Sequence, residues 1–168
     1  MTNASHTTPD QLLERLKALG LTCKTVQHTA VFTVEESKAH RGALDGGHCK
    51  NLFMKDKKGK LWLIVCDEDR QIDPKALRHV IGAAHLSFGK PDLLLEVLGV
   101  EPGSVTPFAA INDTETQVNV VIDATLMDHA ALHFHPLINT MTTRIAPADL
   151  ISFLTSVHRA PAVLNLDG

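Results

Sequence analysis

Apolar residues recur at helical spacing in several stretches of the chain. Leu12, Leu16 and Leu19 form one such stripe, and Gly20 follows it as a stop signal. The stretch opens on Thr8-Pro9-Asp10-Gln11, which places Thr8 at the N-cap, proline at the first helical position and Gln11 in a capping box. The same reasoning predicts further helices over 34–41, 73–80, 91–98 and 147–158.

Other apolar stretches are short and rich in residues that favour strands. Strands are predicted over 23–29, 48–54, 61–66, 107–111, 119–122, 131–134 and 141–145. The second and third of these flank Lys55–Lys60, where Gly59 supplies a turn residue for a hairpin. Short strands interleaved with short helices favour the α+β class, with a mixed sheet flanked by helices. We expect a single domain over 1–168, with residues 1–7 flexible because they are small and polar.

Composition excludes several classes of function. The 168 residues are 44% hydrophobic and 21% charged, as in ordinary globular proteins. A net charge of −3 argues against unselective coating of nucleic acid, although it leaves room for a local basic patch. The sequence shows neither an apolar run of membrane-spanning length nor a basic-then-apolar leader, so we expect a cytoplasmic protein. Three widely spaced cysteines indicate reduced thiols.

Three segments carry candidate chemistry, although the chain lacks a GxSxG elbow, a P-loop and a paired-cysteine zinc motif. Lys50 and Asn51 are neighbours on a predicted strand, so their side chains point to opposite faces. Residues 103–107 form a Gly-x-x-x-Pro loop whose backbone amides are suitable oxyanion donors, or else a plain turn before a strand. His133 and His135 share a strand face. With His48, Cys49 or His129 they would make a metal site imaginable, but a zinc site needs three or four converging ligands, so no metal or cofactor is predicted.

Together these segments resemble the free-standing aminoacyl-tRNA editing domains related to the insertion domain of bacterial prolyl-tRNA synthetase, the YbaK-like deacylases. The alanyl-specific branch is the most similar. The resemblance implies a curved mixed sheet flanked by helices, and a hydrolase that removes alanine mischarged onto proline tRNA. It implies catalytic roles for Lys50, Asn51, Gly103 and His135, with water attacking the ester, loop amides at 103–105 stabilising the oxyanion and the terminal ribose hydroxyl assisting.

A small cavity that admits alanine and excludes larger side chains suits this task, because one methylene gives only about 1–3 kcal/mol of discrimination. The predicted substrate-binding residues are Val31, Phe32, Leu52, Ser104, Val105, Thr106, Pro107, Leu137 and Asn139. Three alternatives stay open: a deacylase for serine, cysteine or threonine, a non-catalytic module that binds tRNA or a synthetase, and a metal-dependent small-ester hydrolase. Cys49 as a covalent nucleophile is a competing mechanism.

Basic residues next to the candidate site predict contact with the phosphates of a tRNA acceptor stem. They are Lys55, Lys57, Lys58, Lys60, Arg70 and Arg78. The alternative interpretation of the lysines is a charged hairpin that keeps a sheet edge soluble. The expected partners are mischarged proline tRNA and, transiently, prolyl-tRNA synthetase, with no membrane. A monomer is favoured.

Overall fold

The computed structural model describes residues 6–29 and 47–167. Its α-helices are α1 (Pro9–Ala18), α2 (Pro74–Ile81), α3 (Pro91–Leu98) and α4 (Pro147–Val157). Its strands are β1 (Cys23–Gln27), β2 (Gly47–Asp56), β3 (Leu61–Asp67), β4 (Leu86–Phe88), β5 (Val118–Asp123), β6 (Leu132–Phe134), β7 (Met141–Ile145) and β8 (Ala162–Leu164). Short 3-10 helices cover Pro102–Ser104, Pro107–Asn112 and Ala124–Asp128.

The predicted helix starts are confirmed where local capping chemistry determines them. At α1 the Thr8 hydroxyl accepts from the Gln11 amide while the Gln11 side chain accepts from the Thr8 amide, which is the predicted capping box. Ahead of it, the Thr7 amide donates to Asn112 Oδ1 at 2.7 Å, so the chain is already held at the end of the segment expected to be flexible. None of the helices in the described part of the chain is long and apolar enough to cross a membrane.

All eight described strands join in one mixed sheet, which confirms the predicted sheet. Its order is β1-β7-β6-β2-β3-β5-β8, and β4 pairs with β2 as well. The pairs β2–β6, β3–β5 and β5–β8 are parallel, and the others are antiparallel. Strand β2 is central, because its first residues pair with β6 and its last residues pair with β4.

Two apolar clusters cover the two faces of this sheet. The larger one packs α1, α3, α4 and the 3-10 helix Pro107–Asn112 against inward residues such as Phe53, Leu63 and Ile122. The smaller one lies on the other face, where Met54, Trp62 and Ile64 pack against α2 and β4. Helices therefore flank both faces of a mixed sheet, as predicted.

A buried pair of polar side chains fixes the end of α4 to the segment before β5. His158 Nε2 donates to Asp113 Oδ2 at 2.8 Å, and neither side chain is exposed. Burial alone would raise the pKa of Asp113, but the hydrogen bonds from His158 and from the amides of Val118 and Gln117 outweigh it and hold that pKa below its usual value.

The sequence prediction is wrong at one element and incomplete at two. Residues 107–111, predicted as a strand, belong to the 3-10 helix Pro107–Asn112. There the Thr106 hydroxyl accepts from the Phe108 amide as an N-cap and Pro107 occupies the first helical position, so the local chemistry favours a helical turn. Strands β4 and β8, of three residues each, are not predicted. The predicted helix 34–41 lies outside the described residues.

Candidate active site

The sheet opens along one edge of β2, between its two partners. Strand β6 pairs with β2 only at Gly47 and His48, and β4 pairs with it only from Met54 onward. Within the described residues, the pairings on this edge therefore leave out 49–53. Lys50 and Asn51 lie in the middle of that gap, and both are half-buried.

The register of the parallel pair brings Lys50 and His135 to the same level. His48 lies beside His133, and their rings stack with centroids 4.5 Å apart, so both point to the same face. Two residues further along each chain, Lys50 lies on the same face of β2 and His135 lies just past the end of β6. The opening is therefore bordered by a lysine on one side and a histidine on the other.

Asn51 points to the opposite face, as the alternation predicts, and holds the Gly-x-x-x-Pro loop. Its Nδ2 donates to the carbonyl oxygen of Val105 at 3.1 Å. Its Oδ1 is buried and has no hydrogen-bond partner among the described residues. Adjacent residues of β2 thus serve two purposes: one side chain fixes the loop, and the other faces the lysine–histidine side of the opening.

The loop itself is a short 3-10 turn followed by a capped helix. The Ser104 amide donates to the Glu101 carbonyl oxygen at 2.8 Å, so this donor is engaged within the turn. Thr106 and Pro107 are buried and form the start of the next 3-10 helix, which leaves them a shaping role. Gly103 lies in the turn without a positive φ, so its conformation is open to other residues as well.

His135 is fixed in one tautomer by its partner. Nδ1 lies 2.8 Å from the carbonyl oxygen of Met141, which can only accept, so Nδ1 carries the proton and Nε2 is left as an acceptor. Burial lowers the pKa of His135, and the nearby His28 lowers it further, which outweighs the opposite effect of the Met141 carbonyl. A neutral histidine with an available Nε2 can accept a hydrogen bond from water or from an amine.

His28 is a residue that the sequence analysis did not single out. Its ring centroid lies 6.0 Å from that of His135. Nδ1 lies 2.8 Å from the Thr29 carbonyl oxygen and Nε2 lies 2.7 Å from the Thr142 hydroxyl, which together hold the ring. The available sequence signal was weak, since His28 falls at the end of a predicted strand that is far from the three motifs along the chain.

Two other histidines of this face stack on each other. His133 is buried, and its ring plane lies 8° from that of His48. Within 6–29 and 47–167 there is no group of three or more histidine, cysteine or carboxylate side chains placed to hold a metal ion.

Cys49 is a poor candidate for a nucleophile. Burial, supported by the nearby Cys66 and two carboxylates, raises the pKa of its thiol far above the ordinary value. Burial likewise raises the pKa of Cys66 to about 11, even though Lys50 opposes the shift. Since the thiolate is the reactive form, Cys49 stays in its unreactive state at neutral pH.

The structure divides the predicted pocket wall. Leu137 packs on the larger cluster together with Val105, whereas Leu52 packs on the smaller cluster across the sheet. Leu52 and Leu137, both predicted to line the substrate pocket, therefore contact different faces of the sheet. Asn139 is buried. Val31 and Phe32 lie outside the described residues.

Leu137 adopts a backbone conformation that is rare for a branched side chain. Its φ of 72° lies in the left-handed region, which costs a non-glycine residue roughly 1–3 kcal/mol. Such residues persist where the surrounding structure over-determines them and cluster at functional sites. The strained position follows His135 by two residues, at the border of the opening.

The lysines of the hairpin are exposed, and a buried aspartate holds their backbone. Asp56 Oδ1 accepts from the amides of Lys58 and Lys60, and its Oδ2 accepts from the Ala84 amide. Burial raises the pKa of Asp56, but these amide donors outweigh it and lower the pKa below its usual value. The side chains of Lys55, Lys57, Lys58 and Lys60 all extend into solvent around this fixed turn.

The two predicted arginines differ from the lysines. The Arg70 side chain is 19% exposed. It pairs with Asp123 at 3.3 Å and with Asp167 at 2.5 Å, so its positive charge is balanced by carboxylates of the same chain. Arg78 is half-buried on α2, and its Nε is buried without a partner among the described residues. Of the residues predicted to form the basic surface, the hairpin lysines are exposed, whereas Arg70 is paired with two aspartates.

The described residues thus combine a mixed sheet flanked by helices with an asparagine-held loop next to Lys50. The aminoacyl-tRNA editing domain matches residues 28–153 of this chain. The chain belongs to that family and is an aminoacyl-tRNA deacylase.

Two relatives illustrate the match along the chain. One, "Prolyl-tRNA synthetase associated domain-containing protein 1" from Danio rerio, is 40% identical over 159 residues, covering 94% of this chain and 86% of the relative. The other, "Prolyl-tRNA editing protein ProX" from Acetoanaerobium sticklandii, is 34% identical over 140 residues, covering 83% of this chain and 85% of the relative.

A solved structure agrees with the fold. The crystal structure of a candidate trans-editing enzyme for prolyl tRNA synthetase superposes with a TM-score of 0.70, covering 95% of this chain and 98% of that one, at 20% identity. At that identity the likeness bears on the fold alone.

Proposed function

We propose that this protein hydrolyses the ester that links alanine to mischarged proline tRNA, acting on the free aminoacyl-tRNA. The observation that carries the proposal is the hydrogen bond from Asn51 Nδ2 to the Val105 carbonyl oxygen. It fixes the Gly-x-x-x-Pro loop to the same point of β2 from which Lys50 faces the level of His135. The names of the relatives, which refer to prolyl-tRNA editing and to prolyl-tRNA synthetase, support proline tRNA as the carrier.

Water is the proposed nucleophile, because Cys49 is held as a thiol. His135 Nε2 would accept a hydrogen bond from this water or from the amine of the substrate. The free hydroxyl of the terminal ribose would assist as base or orienting group. Lys50 would hold the ribose or the terminal phosphate through its positive charge.

The oxyanion formed in the attack needs a donor from the loop. Since the Ser104 amide is engaged, Gly103 is the loop residue to which we assign that donor. Removing one donor of this kind typically costs about 2.7–4 kcal/mol of barrier stabilisation.

Exclusion by size is the simplest source of selectivity. Leu137 and Val105 pack on the same apolar cluster and would narrow the pocket on the loop side. A wall of this kind rejects the ring of a correctly attached proline more strongly than it can favour alanine, because one extra methylene contributes only about 1–3 kcal/mol of favourable contact.

The test is single-turnover deacylation of proline tRNA charged with alanine and, separately, with proline. We expect the wild-type protein to release alanine selectively, Lys50→Ala to lose this activity, and Lys17→Ala on the exposed face of α1 to retain it. If the protein instead releases serine, cysteine or threonine from its tRNA and leaves alanine attached, the substrate is the ester of that amino acid. Lys50→Ala with the wild-type rate would refute the role of the lysine.

A further inference from the structure

We infer that Phe88 is a stacking contact for an unpaired base at the 3′ end of the bound tRNA, an inference that rests on the proposed function. Phe88 is the last residue of β4 and is 61% exposed, the largest exposed fraction of any large apolar side chain in the described residues. Isolated apolar residues are common on protein surfaces, so exposure alone does not indicate a binding role for Phe88. Its position between the exposed lysines and Lys50 does.

The strand register places Phe88 on the Lys50 face of the sheet. Phe88 lies opposite Met54 in the antiparallel β2–β4 pair, and opposed residues share a face. Lys50 lies four residues before Met54, on the same face and about 14 Å along the strand. The ring therefore stands on the path to the site and not on the far side of the sheet.

The lysine turn lies in the other direction along the same strand. Asp56, where the turn begins, is about 7 Å beyond Met54. An extended RNA strand that runs from the exposed lysines toward Lys50 would thus pass over Phe88. Exposed lysines attract phosphates, and an aromatic face between them is suited to a base, because stacking on it tolerates any base.

The turn and the ring are also fixed with respect to each other. Through its two oxygens, the Asp56 carboxylate binds the turn amides and the Ala84 amide just before β4. The Lys57 amide donates to the His85 carbonyl oxygen, and the Gly89 amide donates to the Phe53 carbonyl oxygen at 2.8 Å. Any side chain at Gly89 would collide with the Phe53 ring, with a Cβ only 2.3 Å from it. The backbone is held on both sides of Phe88, so the position of this residue relative to the lysine turn is fixed.

The chemistry of the ligand follows from this arrangement. The path from the turn to Lys50 leads to the reacting ester, so the bases near Phe88 are those next to the aminoacylated end of the tRNA. That end is single-stranded, and its bases are available for stacking. On average, stacking on an aromatic side chain contributes about 1–3 kcal/mol per base, which corresponds to a factor of about 5 to 140 in Kd.

The experiment measures the Kd of uncharged proline tRNA transcript for the wild type and for Phe88→Ala, Phe88→Leu and Phe88→Trp. Leu95→Ala is the matched control, since Leu95 is an exposed apolar residue of α3, 46% exposed and away from the lysine turn. The same series is repeated with a transcript that lacks its three 3′-terminal nucleotides, and thermal melting checks that each variant is folded.

We expect Phe88→Ala and Phe88→Leu to weaken binding of the full transcript by at least 5-fold, and Phe88→Trp and Leu95→Ala to bind like the wild type. On the shortened transcript all variants should bind alike. Equal binding by Phe88→Ala and the wild type would overturn the inference, as would full retention by Phe88→Leu, an unchanged Phe88→Ala effect on the shortened transcript, or a wild type that does not bind the transcript.

The proposed function is judged by a separate readout. Single-turnover release at saturating protein should be the same for Phe88→Ala and the wild type, because the ring contributes to binding and lies away from the ester. A wild-type protein that binds the transcript with the expected Phe88 dependence but releases no amino acid would refute the proposed activity and leave the stacking contact standing.

Discussion

Removing the side-chain amide of Asn51 should lower the deacylation rate while changing the free energy of unfolding very little. The Asn51→Ala variant loses the hydrogen bond to Val105 and leaves that half-buried carbonyl without its partner, at a cost of about 1–3 kcal/mol. The same change also removes the buried Oδ1 that has no partner among the described residues, which relieves a similar penalty of about 1–3 kcal/mol. Because the two effects offset each other, we expect the free energy of unfolding to change by no more than about 1 kcal/mol.

The rate should respond much more strongly. Without the tie, the Gly103–Val105 turn is free to move against β2, and a displacement of about 1 Å at a catalytic group typically costs about 100-fold in rate. We therefore expect the single-turnover rate to fall between about 10-fold and about 100-fold. Asn51→Asp should be worse, since a carboxylate oxygen would face the Val105 carbonyl oxygen at hydrogen-bond distance, where both are acceptors.

Asn119 provides the matched control on the same sheet. Its Nδ2 donates to the Leu61 carbonyl oxygen at 3.0 Å, on a strand away from the loop. Asn119→Ala should lower the free energy of unfolding and leave the rate per folded molecule unchanged. Urea denaturation measures the free energy of unfolding of each variant, and single-turnover deacylation measures its rate. If Asn51→Ala deacylates at the wild-type rate, or if its loss equals the unfolded fraction, the loop does not depend on this hydrogen bond.

Three further predictions concern groups with a perturbed pKa. Cys49→Ala should retain single-turnover activity, because the raised pKa keeps its thiol protonated; loss of turnover in a folded variant would restore the covalent mechanism. Because the pKa of His135 is lowered, its contribution to the single-turnover rate should stay constant above about pH 6.5 and fall at lower pH, once Nε2 is protonated. A decline that begins above about pH 7 would contradict this. The pKa of Asp113 is lower in the folded state than the unfolded value of about 3.9, so its stabilisation is present above that value and lost as the pH falls through the folded value. Asp113→Asn should thus be less stable than the wild type in urea at pH 7, and the difference should shrink toward pH 3; a constant difference would argue against the linkage.

Elements whose ends depend on neighbouring residues were predictable from the sequence. Proline at the start and glycine after the end gave α3 its bounds, Pro91–Leu98, and the capping box gave α1 its start. The difference at Pro107–Asn112 is also local in origin: the apolar run favours a strand, but the Thr106 cap and Pro107 at the first helical position favour a helical turn, and this local chemistry outweighs β-propensity.

The site was predictable only in part. The opposite orientation of Lys50 and Asn51 follows from the strand alternation alone. The opening between β6 and β4 does not, because it depends on where two distant strands stop pairing with β2. Three other features also depend on contacts between residues that are distant in sequence. Leu52 and Leu137 contact different faces of the sheet. Arg70 forms an ion pair with Asp123, and His28 lies next to His135.

The adjacency of Lys50 and Asn51 has a physical reason in this fold. A loop packed on the larger apolar cluster can be held only from the face that Asn51 presents, and the level of His135 is reached only from the other. Two neighbouring residues of one strand satisfy both needs with a single backbone segment. Seven consecutive β2–β3 pairs, from Cys49 with Asp67 to Lys55 with Leu61, fix the register. A slip by one residue would exchange the two faces, and it would also move Phe53 and Met54 out of the apolar clusters into which they pack, so the core that holds the fold together also holds the site in register.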